Sequence, residues 1–341
     1  MIGKYTTSED DLSGASAWIV TDGKAGDETQ CIGVAEALGL SADLRRVRPR
    51  APWSWLMPRG DIDPRDAPEN PASPIAGPFP DIAIASGRRA VAYLRRIKRD
   101  SGGRTFTVFL KDPRAGTTAA DLIWVADHDP LRGDNVLVTA TGPHRFSQAR
   151  LAAARANPPA DIAALPHPRV AVLVGGDSRH YRFNDMDISR FVEGLKRLDA
   201  QGCHFMATAS RRTPDSLHRM LQPLADAPGH LLWDGTGVNP LVAFLANADA
   251  IIVTADSANM VGEALATGRP VHVFRPSGGH RKFEQFLSGL ARLGHVHPFP
   301  GPLKTTTYEP IDATPRIAAA IRWRYSAHRA QLAEASARAE S

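Results

Sequence analysis

The chain has 341 residues, 43% hydrophobic and 23% charged, an ordinary soluble composition with enough length for two α/β cores. With 41 basic and 36 acidic side chains the net charge is +5. That excess is too small for nucleic-acid binding, so nucleic acid is excluded, though it suits anionic ligands or an anionic membrane surface.

Cys31 and Cys203 stand far apart without metal-ligand spacing, so reduced structural thiols are expected. Residues 1–16 are polar and read as a disordered N-terminus with no signal-peptide pattern. No apolar run approaches the ~20 residues needed to cross a bilayer, and a cytoplasmic protein is expected.

Ala17 to Val20 reads as the first strand. The loop Thr21 to Gly26 follows it, and a helix runs from Gln30 to Leu38. Gly23, Lys24 and Gly26 make a glycine-bearing turn before a helix, which suits an anion; the plainer account is a tight turn with a solvated lysine. It is neither a Walker A loop nor a dinucleotide fingerprint, and no cofactor is expected. Asp43 to Val47 is the next strand, followed by an irregular proline-rich stretch over 58–80. Asp81 to Ala85 is a strand that ends in the turn Ser86-Gly87-Arg88-Arg89. The helix behind it carries Arg95, Arg96, Lys98 and Arg99 on one face, either a solvated face or a contact for anionic lipid.

Strands at 105–110 and 122–125 lead to Asp127-His128-Asp129. Neighbouring residues of an extended segment point to opposite sides, so His128 is expected to be the one useful side chain there, as a base, with no metal. The proline-rich segment 142–168, with a helix over 147–156, reads as a linker. Arg169 to Val174 is the strongest strand of the chain. The next residues are Gly175-Gly176, where the backbone is expected to approach a phosphate or sugar. Asp185-Met186-Asp187 imitates a metal-binding Asp-x-Asp but sits where a helix cap belongs. Strand 205–208 ends in Ser210-Arg211-Arg212-Thr213-Pro214, a strand end and helix start that suit a diphosphate. Ala250 to Thr254, the helix Ala258 to Ala266 and the strand Val271 to Phe274 form one βαβ unit, with Glu263 among small neighbours in its helix. A helix from Thr314 to about Ala335 closes the chain.

Ser257-Ala258-Asn259-Met260-Val261-Gly262-Glu263-Ala264, with Gly268-Arg269-Pro270-Val271 behind it, resembles the donor-site motif of GT-B glycosyltransferases. Stretches 18–26, 84–89, 127–129, 175–178, 208–213 and 256–260 together resemble the bacterial branch of the mitochondrial-fission "elongated mitochondria" family. Some of its members have been labelled nucleoside-diphosphate-sugar epimerases. The label sits badly here, because the glycine-rich dinucleotide turn and the Tyr-x-x-x-Lys pair of short-chain epimerases are both missing. The resemblance implies a GT-B-like α/β fold, two Rossmann-like domains whose parallel sheets face a central cleft. The expected bounds are 17–165 for the acceptor-side domain, 166–310 for the nucleotide-sugar domain and 311–341 for a helix packing back on the first. It implies a nucleotide-diphosphate sugar as partner. Glu263, with Ser257 and Asn259, would hold the ribose, Ser210 and Arg211 the diphosphate, and Gly175-Gly176 the phosphate or sugar. Asp22 or His128 would deprotonate an acceptor hydroxyl, with Gly23, Lys24, Gly26 and Arg88 as the anion or acceptor loop. The implied activity is metal-independent glycosyl transfer to an envelope or lipid-linked acceptor, an anionic lipid or membrane-surface acceptor included, by a cytoplasmic protein peripheral at the inner face of the membrane. The alternative is a non-catalytic adaptor for a protein partner or membrane surface.

Overall fold

The computed structural model describes residue 12 and residues 14–339. The expectation of a disordered segment over 1–16 therefore falls mostly outside the described residues. Of those described, Leu12 is buried and Ser16 bonds the Asp81 carboxylate through both its N–H (2.8 Å) and its hydroxyl (2.7 Å).

The chain forms two compact units, one of 1–145 with 313–341 and one of 146–312. In the first, β1 (Ala17–Thr21), α1 (Ala25–Leu38), β2 (Ala42–Arg46), the short α2 (Trp53–Leu56), β3 (Ile82–Ser86), α3 (Ala90–Asp100), β4 (Phe106–Leu110), β5 (Leu122–Ala126) and β6 (Val136–Thr139) follow in order. The six strands are all parallel, in the order β2-β1-β3-β4-β5-β6. Apolar residues fill both registers of the central strands because each face is covered. Ile19, Ile84 and Val108 pack with Val34 and Leu38 of α1 and with Ile317 and Ile321 of the terminal helix, Thr314–Ala339. Trp18, Val20, Ala85 and Phe109 pack on the other face with Val91, Leu94 and Ile97 of α3.

The second unit begins with α4 (Gln148–Ala156) and α5 (Ala160–Ala164), so the boundary falls at 145/146 and the stretch read as a linker is part of a core. Leu151 and Ile162 are buried there, and Arg155 donates to the Ala246 carbonyl at 2.9 Å. Then come β7 (Arg169–Val174), β8 (Tyr181–Arg182), α6 (Asp185–Asp199), β9 (His204–Ala209), α7 (Asp215–Asp226), β10 (Leu231–Trp233), α8 (Leu241–Asn247) and β11 (Ala250–Thr254). The unit closes with α9 (Ala258–Leu265), β12 (Val271–Phe274), β13 (Ser277–Gly278), α10 (Arg281–Arg292) and β14 (Val296–Phe299). Its parallel sheet also has six strands, ordered β10-β9-β7-β11-β12-β14. Asp187 serves as a cap: Asn184 is the N-cap of α6, and Asp187 completes its capping box. Both cysteines are buried, and burial pushes both thiols up. Among the described residues no helix is long and apolar enough to cross a membrane.

Candidate functional site

Each sheet has one point where the chain reverses its direction of travel. In the first, the chain leaves β1 for β2 on one side and returns to β3 on the other; in the second it leaves β7 for β9 and returns to β11. Loops leaving the carboxyl ends of such a strand pair diverge and open a crevice, the usual ligand position of open α/β sheets.

In the second unit that crevice is organised by Asp256, two residues beyond β11. Its side chain is wholly buried, and it accepts from Gly176 N–H at 3.0 Å, Thr254 Oγ1 at 2.6 Å and Arg212 Nη2 at 2.9 Å. Gly175 N–H donates to Thr254 Oγ1 at 2.8 Å. A Cβ on Gly175 would lie 2.1 Å from Asp256 Oδ1, and one on Gly176 would lie 1.9 Å from the Arg212 carbonyl oxygen. The two glycines are therefore required by the approach of neighbouring loops. Their N–H groups are already engaged, so neither is left to donate to the phosphate or sugar expected there.

The two arginines after β9 divide their work. Arg212 is tied to Asp256 and to the Asp177 carbonyl (3.2 Å). Arg211 is exposed and has no hydrogen-bond or ion-pair partner among the described residues. It lines a cavity of about 450 Å³ together with Thr208, Ser210, His218, Trp233, Asp234 and Met260, at the carboxyl ends of β7, β9 and β10. Trp233 is fixed there by its Nε1–H, which donates to the Thr236 carbonyl at 2.6 Å. The Ser210 hydroxyl accepts from Arg212 N–H at 3.1 Å, so it shapes the turn as well as lining the cavity.

Ser257 is the N-cap of α9, its hydroxyl accepting from Met260 N–H at 3.4 Å, and Asn259 follows in the first turn. Neither lines the cavity, nor do Gly175, Gly176 or Glu263. Glu263 stands one turn beyond Met260, which places the two on adjoining positions of one helix face. Its partly exposed carboxylate has no partner among the described residues, and desolvation pushes its pKa up to about 8.

In the first unit, Asp22 follows β1, the strand that corresponds to β7. Its side chain is buried, Lys24 Nζ bonds Oδ2 at 3.0 Å, and Oδ1 has no partner among the described residues. Oδ1 would meet a Cβ on Gly87 at 2.8 Å, and Gly87 has φ +97°, so this residue too must be glycine. Gly23 turns at φ +83°, and α1 starts at Ala25, five residues before the expected Gln30, so Gly26 belongs to the helix. The first turn of α1 holds Asp27, paired with Lys111, and Glu28, paired with Arg46. The Arg46 hydrogen bonds hold the Glu28 carboxyl below its usual range. These acids already complement the helix dipole, which weakens the turn as an anion loop. Arg88 is likewise occupied, donating to the carbonyls of Ser54 (2.8 Å) and Trp55 (3.2 Å). His128 follows β5, three strands from β1 or about 14 Å across the sheet. The structure thus does not pair it with Asp22 on one hydroxyl. No cluster of three or more metal-ligating side chains occurs among the described residues.

The sequence reading grouped Arg212 with Arg211 at the diphosphate end of strand 205–208 and gave Asp256 and Lys111 no role at the site. Lys111 follows β4 at φ 103°, a strained backbone that no residue pattern signals.

Two units with six-stranded parallel sheets, each with its switch point at the carboxyl edge, make this a GT-B-like α/β fold. The UDP-GlcNAc 2-epimerase of Methanocaldococcus jannaschii shares the fold, with TM-score 0.53 at 10% identity over 90% of this chain and 99% of that one. The chain belongs to the mitochondrial fission ELM1 family, whose model matches residues 25–325. It is 27% identical over 271 residues to mitochondrial fission protein ELM1 of Arabidopsis thaliana, covering 71% of this chain. It is 29% identical over 170 residues to an uncharacterized protein of Rickettsia prowazekii, covering 46% of this chain. The matches span 63% and 48% of those two relatives' own lengths. The fold is thus shared with a 2-epimerase, so the missing short-chain epimerase motifs bear on that class of epimerase alone.

Proposed function

We propose that the second unit binds a nucleoside-diphosphate sugar and that the protein transfers the sugar, without a metal, to an envelope or lipid-linked acceptor. Arg211 carries the reading: an unengaged guanidinium on the wall of a cavity at the carboxyl edge of a parallel sheet. Such a group suits a diphosphate, and it can stabilise the departing charge that a cation would otherwise take. Glu263 is the acceptor for ribose hydroxyls; its lack of an internal partner supports a role with a ligand. In the transfer, the acceptor oxygen bonds to the anomeric carbon as the bond to the diphosphate breaks, and a base takes the hydroxyl proton. Asp22, with a buried carboxylate oxygen left unbonded, is the candidate base in the first unit.

Calorimetry with a nucleoside diphosphate and its 2′,3′-dideoxy form, on the natural protein and Glu263→Gln, tests the site. The substitution should weaken the ribonucleotide about tenfold or more and leave the dideoxy form nearly unchanged. Equal effects on both ligands would make Glu263 a helix-surface acid. The family name favours a second reading, an adaptor that keeps the fold without the chemistry. Failure of every nucleoside diphosphate to bind would favour it. Conversion of a bound sugar nucleotide to its epimer, with the sugar still on the diphosphate, would replace transfer with epimerisation.

A further inference from the structure

Independently of the nucleotide site, the first unit carries an apolar tip built into a cationic surround. In α2, Trp55 is 75% and Leu56 59% exposed, side by side on a four-residue helix. Large apolar side chains are normally scattered singly on a soluble surface, so two adjacent ones at a turn require an explanation. The segment is held rigidly. Arg88 donates to the carbonyls of Ser54 and Trp55, and Arg95 to those of Pro58 (3.0 Å), Arg59 (3.1 Å) and Gly60 (3.0 Å). Both guanidinium groups are bonded to neutral carbonyls, so their charges stay uncompensated. Arg59 and Arg89 are exposed and pair with no carboxylate among the described residues. Of the nearby acids, Asp63 is neutralised by Arg50 and Glu69 by Arg96, while Asp66, bonded to the Tyr93 hydroxyl, and exposed Asp61 keep their charges, so Arg59, Arg88, Arg89 and Arg95 remain in excess.

We propose that the Trp55–Leu56 tip and its arginine surround dock this unit on an anionic lipid bilayer, with the indole and leucine inserted at headgroup depth. Tryptophan favours the membrane interface, and each basic side chain near an anionic leaflet adds to the attraction. The apolar area argues against a protein partner. Two side chains offer at most a few hundred Å², well under the ~800 Å² per partner of a stable protein interface. A bilayer needs no matching shape.

Co-sedimentation with vesicles tests this on the full chain. The protein should sediment with equimolar phosphatidylcholine/phosphatidylglycerol vesicles, weakly with phosphatidylcholine alone, and less as salt rises. Trp55→Ala/Leu56→Ala should lower the affinity for the anionic vesicles at least about tenfold. Arg59→Glu/Arg89→Glu should remove the preference for them. Unchanged circular dichroism and melting temperature would show that both variants fold. Natural protein remaining in the supernatant with anionic vesicles would overturn the proposal, as would undiminished sedimentation of Trp55→Ala/Leu56→Ala. So would tip-dependent self-association in the ultracentrifuge without vesicle binding, which would make the tip an interface between copies.

Discussion

Asp256 receives the backbone N–H of Gly176 at 3.0 Å, bringing the loop after β7 and the loop after β11 onto one buried carboxylate. In the first unit Asp22, after β1, and Gly87, after β3, also lie close together, with Lys24 paired to the carboxylate but with no glycine N–H donating to it. Every carboxylate oxygen of Asp256 is bonded, whereas Asp22 retains one unbonded, so Asp256 reads as a brace and Asp22 is the one proposed as a base.

If Asp256 is a brace, removing it should cost stability before it costs binding. Asp256→Ala leaves Gly176 N–H and Arg212 without their acceptor, at a cost of about 3 kcal/mol in urea denaturation. Gly175→Ala should cost about 1–3 kcal/mol by overpacking, since the new methyl collides with the same carboxylate. The double variant should be less destabilised than the sum. Strict additivity would mean the two residues do not press on each other.

The two neighbouring arginines should separate cleanly. Arg211→Ala should weaken a nucleoside diphosphate about 10–150-fold and the bare nucleoside hardly at all. Arg212→Ala should lower the melting temperature, because it frees a buried carboxylate. An Arg211 variant that lost both ligands alike would place the diphosphate elsewhere.

The Glu263 carboxyl has a folded pKa raised to about 8, above its unfolded value of 4.5. The folded state therefore holds the proton more tightly between those values. Its contribution is fully present below pH 4.5 and is lost as pH rises through 8. Ligand-free protein should lose stability over that window, by at most about 4–5 kcal/mol and less with solvent screening of the exposed part. Glu263→Gln should flatten the profile, as followed by chemical denaturation at each pH.

His272 makes the opposite prediction. It lies buried on β12 opposite His297 of β14, accepting from Lys304 N–H at 3.2 Å, and desolvation lowers its pKa to about 4. Its unfolded value is near 6.5, so its contribution is present above that pH and lost as pH falls through 4. About 3 kcal/mol of the acid sensitivity should belong to this ring. His272→Gln should shrink the loss between pH 6.5 and 4, and an unchanged acid profile would refute the assignment.

The central strands were legible because burial on both faces leaves unbroken apolar runs such as Ile82-Ala83-Ile84-Ala85 and Ala250-Ile251-Ile252-Val253. The edge strands β6 and β14 are four residues each and were missed: Val136-Leu137-Val138 was visible, but a short edge run resembles a loop. The helix start at Ala25 was missed because two glycines drew the reading toward a loop, although Asp27 and Glu28 are N-terminal signals. At the site, Ser210 and Arg211 were within reach because strand end and helix start are local features. The partner of Gly175 and Gly176 was not, since Asp256 reaches them only through the pairing of β7 with β11, about eighty residues apart in sequence.

The shared carboxylate also makes a single moving part of two loops. Residues 175–177 and 210–213 are joined through Asp256, through Asp177 N–H on the Arg212 carbonyl (3.2 Å), and through the Thr213 hydroxyl on the Gly175 carbonyl. An anion drawn to Arg211 therefore pulls on both loops at once, and a glycine that touches no ligand is carried along with it. Amide exchange at Gly176 and Asp177 should slow in step with Thr213 when such an anion binds, at one common rate.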